Sequence, residues 1–429
     1  QGNDYSEDAH FSADGRYVLF VSLASNLVAG DSNGAEDIFI KDLQSGAIRR
    51  VSTDAAGVQG NSGSLSAQFS ADGHTVVFQS YSTNLVAGDT NGNWDLFVKD
   101  LQSGAIQRVS TDAAGAQSNG YSDQPRFSPD GRYVVFQSYA SNLISGDSNG
   151  TGDVFVKNLQ SGAIQRVSTD AAGAQGNSDS GYAQFSADGR TVVFQSLASN
   201  LVAGDSNGAS DIFVKDLQSG AIQRVSTDAA GVQGNGFSYN ARFSADGRSV
   251  VFTSEASNLV AGDSNNNHDV FVKNLQSGAI QRVSTEAAGV QGNAASYNPQ
   301  FSADGRYVVF TSDASNLVAG DSNGVGDIFR AANPFHIDSG VDTVQSSISY
   351  TLPTAVENLK LTGSGALNGT GNTLDNLFYA GAGNNVLDGA GGNDTVSYAF
   401  ATAGVTVSLA SAGAQATGGS GSDTLISIE

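Results

Sequence analysis

The chain has 429 residues, with 42 acidic residues against 20 lysines and arginines for a formal net charge of −22, and it contains no cysteine and no methionine. The negative charge argues against nucleic acid and anionic membranes as partners, because both are polyanions, and it favours cations. The composition excludes disulfides and a thiol nucleophile, and no apolar stretch reaches membrane-spanning length. Since methionine is absent, we expect a processed product or a fragment, whose missing start carried a targeting segment.

A 58-residue repeat fills the first 330 residues. The phrase GDSNG at Gly30 to Gly34 returns five times with small changes, and its aspartate advances by 58 residues at each step. A second phrase, FSADGR at Phe11 and its near copies, keeps the same step. Periodicity of this length indicates an architecture built from repeated supersecondary units.

Each repeat predicts four short antiparallel strands and no helix. In the first repeat, Tyr17 to Ser22 (YVLFVS) is a β-branched and aromatic run that follows an Asp-Gly turn. Asp37 to Leu43 and Ile48 to Thr53 are predicted as the next strands, and a short strand precedes Phe69. The continuous apolar runs indicate strands covered on both faces, as in sheets stacked around an axis. We therefore predict an all-β fold, a six-bladed β-propeller over residues 1–330.

The order of phrases in each repeat resembles a known family. The phrases are, in order, Phe-Ser-x-Asp-Gly followed by a basic residue, an apolar strand, Asp-Ile-Phe-Val, Ser-Gly and Arg-Val-Ser. From Phe11 to Phe329 this order is similar to the TolB-type, WD-like propeller blade of bacterial periplasmic and extracellular proteins. The resemblance implies the propeller fold. It does not imply one activity, because such blades serve peptidases, lyases and binding scaffolds alike.

The sixth repeat departs from the pattern after Phe329, before its own fourth strand. We expect another segment to complete that blade. Ser346 to Leu352 of the same chain is favoured over a strand from a neighbouring molecule, because a tethered strand has the higher effective concentration.

Residues 331–429 form a second predicted region, rich in Gly, Asn and Asp and truncated at its end. Three windows, Ala380 to Asp388, Gly389 to Ser397 and Gly418 to Ile426, fit the nonapeptide G-G-x-G-x-D-x-U-x, where U is a large apolar residue. They resemble a degenerate RTX segment, the calcium-binding parallel β-roll of proteins exported by type I secretion. The resemblance implies calcium ligands at the aspartate position, here Asn385, Asp394 and Asp423, and one or two bound ions. The alternative is a Gly- and Asn-rich linker.

The repeated acidic loop offers a second candidate calcium site. The two long connections of each blade are expected on one rim, so all six copies share a face. Asp31-x-Asn33-Gly34-x-x-Asp37 resembles part of a calcium-binding loop in which Ala29 replaces the first acidic ligand. The alternative is that these residues only close Asx-turns. The predicted ligands are Asp31, Asn33, Asp37, Asp89, Asn91, Asp95, Asp147, Asn149, Asp153, Asp205, Asn207, Asp211, Asp263, Asn265, Asp269, Asp321, Asn323 and Asp327.

Two further repeated positions are given structural roles. Asp54 and its copies are predicted to cap a turn, because aspartate before a short turn bonds nearby amides. Lys41 and its copies are predicted as solvated strand positions.

Recognition is expected where the copies differ. Aromatic residues on variable loops suit sugar rings and adaptable binding surfaces, although unconstrained loops also drift. The candidate ligand-binding residues are Tyr5, Tyr81, Trp94, Tyr121, Tyr139, Tyr182, Tyr239 and Tyr297.

No catalytic residue is predicted. The four histidines have no motif-spaced partner, and no nucleophile elbow occurs. We therefore expect a secreted, calcium-stabilised binding or structural module at the cell surface or beyond, whose partner is an extracellular polysaccharide or protein. The alternatives are a carbohydrate-active hydrolase or lyase that uses carboxylates of the long-loop face, and a self-assembling filament or array protein.

Overall fold

The computed structural model describes residues 1–336, 341–353 and 356–429. The chain divides into two compact units, Gln1–His336 and Ile337–Glu429, with the division close to the predicted one at residue 330. All regular elements assigned within the described ranges are β-strands.

The first unit is a β-propeller of six repeated antiparallel sheets, as predicted. The first blade consists of β1 (Ser6–Phe11), β2 (Tyr17–Ser22), β3 (Asp37–Asp42) and β4 (Ile48–Arg50). The second consists of β5 (Ser64–Phe69), β6 (Thr75–Ser80), β7 (Asp95–Asp100) and β8 (Ile106–Arg108). The third consists of β9 (Ser122–Phe127), β10 (Tyr133–Ser138), β11 (Asp153–Asn158) and β12 (Ile164–Arg166).

The remaining blades repeat the same strand order, except that the sixth has three strands. The fourth consists of β13 (Ser180–Phe185), β14 (Thr191–Ser196), β15 (Asp211–Asp216) and β16 (Ile222–Arg224). The fifth consists of β17 (Ser238–Phe243), β18 (Ser249–Ser254), β19 (Asp269–Asn274) and β20 (Ile280–Arg282). The sixth consists of β21 (Ser296–Phe301), β22 (Tyr307–Ser312) and β23 (Asp327–Ala332).

The core lies between blades, which explains the continuous apolar strands. Each of five buried clusters joins the second and third strands of one blade to the first and second strands of the next. A phenylalanine of each second strand also packs on one of the third strand, as Phe136 does on Phe155 with ring centroids 5.8 Å apart. Both faces of these strands are therefore covered, and no alternation of apolar and polar residues is required.

The first and sixth blades each leave one face exposed. Phe11 is 69% exposed whereas its counterpart Phe69 is 9% exposed, and Ile328 is 71% exposed whereas its counterpart Ile212 is fully buried. No buried cluster of the described residues joins the sixth blade to the first. Consecutive blades bury equivalent faces against each other at five interfaces. The exposed faces of the first and sixth blades correspond to the two sides of such an interface.

Every first strand carries a bulge at the same repeat position. The pairing of β9 with β10 shifts between Val135 and Gln137, and Gln124 lies there with a positive φ of 52°. Bulge residues of neighbouring blades meet, since Gln124 Oε1 accepts a hydrogen bond from the Tyr182 backbone amide at 2.8 Å. The six bulge residues are Asp8, Ser66, Gln124, Tyr182, Asn240 and Asn298.

The second unit is a parallel β-roll, as the RTX resemblance implied. One sheet contains β24 (Thr343–Ser346), β26 (Asn358–Leu361), β28 (Leu377–Tyr379) and β30 (Thr395–Ser397). The other contains β25 (Tyr350–Thr351), β27 (Asn368–Thr370), β29 (Val386–Asp388) and β32 (Ser422–Ile426), with β31 (Gln415–Ala416) antiparallel to β32. Leu359, Phe378 and Leu387 are fully buried between the sheets.

The expectation that Ser346 to Leu352 completes the sixth blade is wrong. Ser346 pairs with Leu361 of β26, and Tyr350 pairs with Gly369 of β27. Leu352 is 4% exposed because it packs in the core of the roll. Burying that apolar side chain favours this placement over an edge of the propeller.

Candidate functional site

The two long connections of each of the first five blades meet on one rim, as predicted. In the first blade the Asn33 side-chain amide donates to the Gly60 carbonyl at 3.0 Å, which ties the acidic loop to the next connection. Asn33 Oδ1 also accepts from the Ala35 amide at 3.0 Å, so the loop contains the Asx-turn that the sequence allowed.

An arginine from the fourth strand lies between the two aspartates of the acidic loop. In the first blade Arg50 Nη2 is 3.0 Å from Asp31 Oδ2, and Arg50 Nε is 3.1 Å from Asp37 Oδ2. All three side chains are at least nine-tenths buried. Equivalent pairs recur in the next four blades, with Arg108, Arg166, Arg224 and Arg282. We call this arrangement the arginine clamp.

Neighbouring polar groups complete the clamp. Gln59 donates through Nε2 to Asp31 at 2.9 Å and to Asp37 at 2.8 Å, and the Ser52 hydroxyl donates to Asp37 Oδ1 at 2.5 Å. The guanidinium carbon of Arg50 also lies 5.8 Å from the centre of the Phe39 ring. Burial raises the pKa of Asp37 despite these donors.

The clamp changes the physical reason for the repeated aspartates. In each of the first five loops a guanidinium group already offsets one of the two carboxylate charges, and neutral donors such as Gln59 and Ser52 hydrogen-bond the aspartates, so the need for calcium there is reduced. In the part of the chain that the structure describes, no group of three or more His, Cys, Asp or Glu side chains is placed to hold a metal. Calcium at these loops stays a prediction, and this geometry does not favour it.

The sixth acidic loop differs from the other five. The sequence position that corresponds to Arg50 is Gly340, which lies outside the described residues, so this repeat has no arginine there. Asp327 accepts a hydrogen bond from the Asn323 side chain at 3.1 Å. Of the six predicted loop sites, the one with Asp321 is therefore the most open to a cation.

The repeated lysine has a different role from the one predicted. Lys157 Nζ donates to the Thr111 carbonyl at 2.9 Å, to the Thr111 hydroxyl at 3.0 Å and to the Asp112 carbonyl at 2.8 Å, all in the preceding blade. Lys99, Lys215 and Lys273 make the same three contacts, so solvation is the wrong description for these four lysines. Lys41, the copy in the first blade, is exposed.

The turn-capping role of Asp54 is confirmed. Its Oδ1 accepts from the Ala56 amide at 2.9 Å and from the Val58 amide at 2.8 Å. The Asp112, Asp170 and Asp228 copies accept the same pair of bonds.

The calcium candidates of the roll lie in stacked columns. Each of the three predicted windows ends in a strand, namely β29, β30 and β32. Asp423 Oδ1 accepts from the Asn385 backbone amide at 2.7 Å, so the first and third windows stack although they are far apart in sequence. Asp394 Oδ1 accepts from the Asn376 amide, also at 2.7 Å.

Buried oxygen atoms remain without partners in these columns. Asp394 Oδ2, Asp423 Oδ2 and Asn385 Oδ1 have no hydrogen-bond partner, and the three residues are at most 1% exposed. Burial and the neighbouring Asp423 carboxylate raise the pKa of the Tyr398 hydroxyl, which in turn partly offsets the effect of burial on the pKa of Asp423. Burial raises the pKa of both aspartates, and Glu429, Asp375 and Asp388 raise that of Asp394 further.

Glycine leaves room around the same oxygens. A side chain at Gly389 would collide with Asp394 Oδ2 and with the Ser427 carbonyl oxygen. A side chain at Gly371 would collide with Asn376 Oδ1 and the Gly389 carbonyl. Carboxylate, amide and carbonyl oxygens that face one small space are the donors that calcium prefers, so the residues present fit the ion.

The sequence analysis missed one turn of this roll. Residues 371–379 (GNTLDNLFY) place Asn376 and the buried Phe378 where the nonapeptide has its aspartate and its large apolar residue. The available signal was the 18-residue spacing from Asn376 to Asp394, which equals two nonapeptides. A search for windows that begin with the expected glycines does not find this turn.

The predicted aromatic residues fall into separate groups around the rim. Tyr81 packs on Trp94 with ring centroids 5.7 Å apart, Tyr5 donates to Glu36 at 2.8 Å, and Tyr297 donates to Asp313 at 3.1 Å. Tyr121, Tyr139, Tyr182 and Tyr239 come together in one pocket.

This pocket is formed by the third, fourth and fifth blades and has a volume of about 620 Å³. We call it the tyrosine pocket. Tyr121 and Tyr139 stack with ring centroids 5.4 Å apart, and Phe237 adds a further ring to the wall. Gln137, Gln195 and Asn240 supply amide groups, and Asp123 and Asp179 supply carboxylates. The volume is typical of small-molecule sites, and the lining combines aromatic rings with many polar groups.

Asp123 was not predicted as a site residue. It is 9% exposed, and its Oδ2 accepts hydrogen bonds from the Tyr121 hydroxyl and from Gln124 Nε2. Its Oδ1 has no hydrogen-bond partner among the described residues. Burial raises the pKa of both Asp123 and Tyr121, and the Asp123 carboxylate raises that of Tyr121 further.

One histidine has partners that the sequence did not reveal. His268 Nδ1 contacts the Tyr239 hydroxyl and lies 3.5 Å from Glu255 Oε1. Burial raises the pKa of Tyr239 to about 12, which is the wrong direction for an activated nucleophile. The arrangement orients the Tyr239 ring at the pocket wall.

Comparison with known proteins supports the second unit most directly. Residues 370–399 match the model of the RTX calcium-binding nonapeptide repeat (4 copies), which confirms that resemblance and covers the turn at Asn376. No curated protein sequence matches the chain. No helix among the described residues is long and apolar enough to cross a membrane.

Solved structures similar to the chain include several propeller proteins. TolB from Acinetobacter baumannii is 18% identical with a TM-score of 0.38, over 70% of this chain and 60% of that one. An oligogalacturonate lyase from Vibrio parahaemolyticus is 14% identical with a TM-score of 0.39, over 78% and 91%. The acylaminoacyl peptidase of Pyrococcus horikoshii is 10% identical with a TM-score of 0.42, over 72% and 43%.

Proposed function

We propose that the chain is a secreted, calcium-binding propeller protein that acts as an extracellular binding module. The observation that carries the calcium part is the pair of buried, unpartnered carboxylate oxygens of Asp394 and Asp423 in the roll. Such oxygens destabilise a fold unless a cation or a proton compensates them. Secretion is supported by the acidic composition and by the RTX match, whose repeats are typical of exported proteins.

Calcium would be held in two columns of the roll, by Asp394 in one and by Asn385 with Asp423 in the other, each together with backbone carbonyls of adjacent turns. When bound, an ion would neutralise the buried carboxylate of Asp423 or that of Asp394, which Glu429, Asp375 and Asp388 repel. Calcium at a hundred times its dissociation constant would stabilise each site by about 2.7 kcal/mol. Without calcium we expect the roll to lose protection from hydrogen exchange while the propeller keeps its own.

The test compares two carboxylates of the roll. Asp394→Asn is expected to lower calcium affinity and to remove most of the chelator-induced shift in the melting temperature of the roll. Glu357→Gln is the matched control, because Glu357 is only partly buried and its Oε2 already accepts from the Asp342 amide at 2.8 Å. Equal effects of the two variants, or a melt that a chelator leaves unmoved, would argue against the calcium proposal.

For the propeller we propose that the first five acidic loops are closed by arginine and that any calcium there is confined to the sixth loop. The binding function is assigned to the tyrosine pocket, because it alone brings several of the variable aromatic residues together. Its rings are open to a ligand, since Tyr139 is 44% exposed and Tyr182 is 55% exposed. A ligand is expected to perturb the NMR signals of these two tyrosines and not those of Tyr81.

Self-assembly is a second candidate, favoured by the exposed terminal blades. In the described residues no strand pairs with the outer edge of β23, and Ile328 and Phe11 are exposed on the faces that the inner blades bury. We propose a head-to-tail contact between copies. Light scattering should then show a mass that grows with concentration in the wild type and is reduced by Ile328→Lys. Val58→Lys, at a residue that is 55% exposed elsewhere, is the control.

A further inference from the structure

We propose that the tyrosine pocket binds an organic cation, a small ligand with an ammonium group that lies against Asp123 and the tyrosine rings. The inference rests on the proposed function in one respect, namely that this pocket is the binding site of the propeller. It adds the chemical class of the ligand.

The first argument is the state of the Asp123 carboxylate. The side chain is 9% exposed, lines the pocket and has one oxygen without a partner among the described residues. Leaving a buried carboxylate oxygen unpaired is unfavourable, and a cation in the pocket would remove the penalty. The Tyr121 hydroxyl and Gln124 hold the other oxygen, which fixes the carboxylate in place.

The fold itself does not require this carboxylate. The same repeat position holds Glu7, Leu65, Gly181, Tyr239 and Tyr297 in the other blades, and all of these blades form the same first strand. A buried aspartate at a position that tolerates leucine and glycine has no structural task in common with its copies. Its burial therefore points to a task of this pocket alone.

The second argument is the aromatic wall. Tyr121, Tyr139, Tyr182 and Tyr239 line the pocket, and Phe237 adds a fifth ring. The faces of aromatic rings attract cations, and the attraction is strongest where water is excluded. An ammonium group among these rings would interact with them and with the carboxylate at the same time.

The third argument is the charge of the lining. Asp179 is a second carboxylate, held by a hydrogen bond from the Gly152 amide to its Oδ1 at 2.8 Å. No lysine, arginine or histidine is among the described residues that line the pocket. An acidic saccharide would be repelled, and a metal ion would find only two carboxylates, so the organic cation fits better than either.

The experiment titrates the full chain, in calcium-containing buffer, with two matched pairs of probes. Choline is compared with its neutral isostere 3,3-dimethylbutan-1-ol, and glucosamine with N-acetylglucosamine, by isothermal titration calorimetry and saturation-transfer NMR. We expect each ammonium probe to bind at least about tenfold more tightly than its neutral partner. The two pairs distinguish a quaternary ammonium ligand from an amino sugar.

Variants locate the site. Asp123→Asn should weaken binding of the ammonium probes at least about tenfold and leave the neutral probes unchanged, because Asn keeps the shape and loses the charge. Glu7→Gln changes the same repeat position in the first blade and should have no effect. Tyr139→Leu should also weaken binding, with Tyr81→Leu, its counterpart in the second blade, as control.

Two results would overturn the inference. If the neutral probes bind as tightly as the charged ones, the pocket is a binding site but the assigned class of ligand is wrong. If none of the four probes binds, both the class and the pocket fail. The wild-type comparison decides between these results even where Asp123→Asn does not fold.

Discussion

Removing the arginine of one clamp should destabilise the propeller strongly. Arg166 Nη2 is 2.9 Å from Asp147 Oδ2, its Nε is 3.3 Å from Asp153 Oδ2, and its side chain is 8% exposed. Arg166→Ala would leave two buried carboxylates without their cation. Breaking a buried ion pair on one side costs about 3–5 kcal/mol. The Ser168 and Gln175 donors to Asp153 remain, which favours the lower half of that range.

The unfolding free energy that Arg166→Ala loses should also depend on pH. Burial already raises the pKa of Asp153, and the loss of Arg166 would raise it further. In the folded variant the aspartate then binds a proton at a higher pH than in the unfolded chain. The unfolding free energy of the variant should therefore rise, and its deficit should shrink, as the pH falls from 7 towards about 4.

Urea unfolding followed by circular dichroism, with hydrogen exchange to locate the effect in the third blade, measures this loss. Arg132→Ala is the control, because Arg132 is exposed, and a surface change of this kind is worth about 0.5 kcal/mol or less. A deficit below about 1 kcal/mol would refute the clamp as a stabilising element. Recovery of the deficit by millimolar calcium would show that the loop is a metal site after all.

Three further predictions address the repeat and its charges. Lys157→Met should lower the unfolding free energy by about 1–3 kcal/mol, because three oxygens of the preceding blade lose their donor. Lys41→Met should change it little, and denaturant titration measures both values. Arg16 holds the pKa of Asp42 at about 2, so Arg16→Ala should raise that pKa in an NMR titration. The variant should also lose a stabilisation that the wild type keeps until the pH falls from about 4 to 2. An unchanged pKa of Asp42 would contradict the pairing. Gly150 has a φ of 67° in its loop, so Gly150→Ala should lower the unfolding free energy by about 1–2 kcal/mol. Asn266 has a φ of 53° at the equivalent position, so Asn266→Gly should leave the melting temperature nearly unchanged.

The sequence predicted the blades well because their signals are local and repeated. Tyr17 to Ser22 and its copies follow Asp-Gly turns, and six copies in one register leave little freedom in the fold. The nonapeptide windows were equally local, and the strands β29, β30 and β32 lie where they placed them.

Contacts between distant segments could not be predicted in the same way. Arg50 lies on the fourth strand, and only the folded blade shows that it reaches Asp31 and Asp37. Lys157 bonds to a loop of the preceding blade, so its pattern within one repeat resembles that of an exposed residue. The available signal was that each of the first five acidic loops is followed by a lysine and an arginine at fixed repeat positions, Lys41 and Arg50 in the first copy, and that the sixth is not.

The tyrosine pocket depends both on local sequence signals and on contacts between distant segments. Its tyrosines were named from their variability between copies, but the sequence could not show that the third, fourth and fifth blades place four of them together. Asp123 stood in the same variable segment, and its importance follows only from its burial and from the oxygen without a partner.

The measurement that tests the central claim most directly is the calcium content of exhaustively dialysed protein, determined by elemental analysis alongside a melt before and after chelation. We predict about one or two calcium ions per chain, with the ion held by Asp394 lost in Asp394→Asn and the propeller transition unmoved by the chelator. About six ions per chain, with a chelator-sensitive propeller, would contradict the account and make the repeated acidic loops the calcium sites.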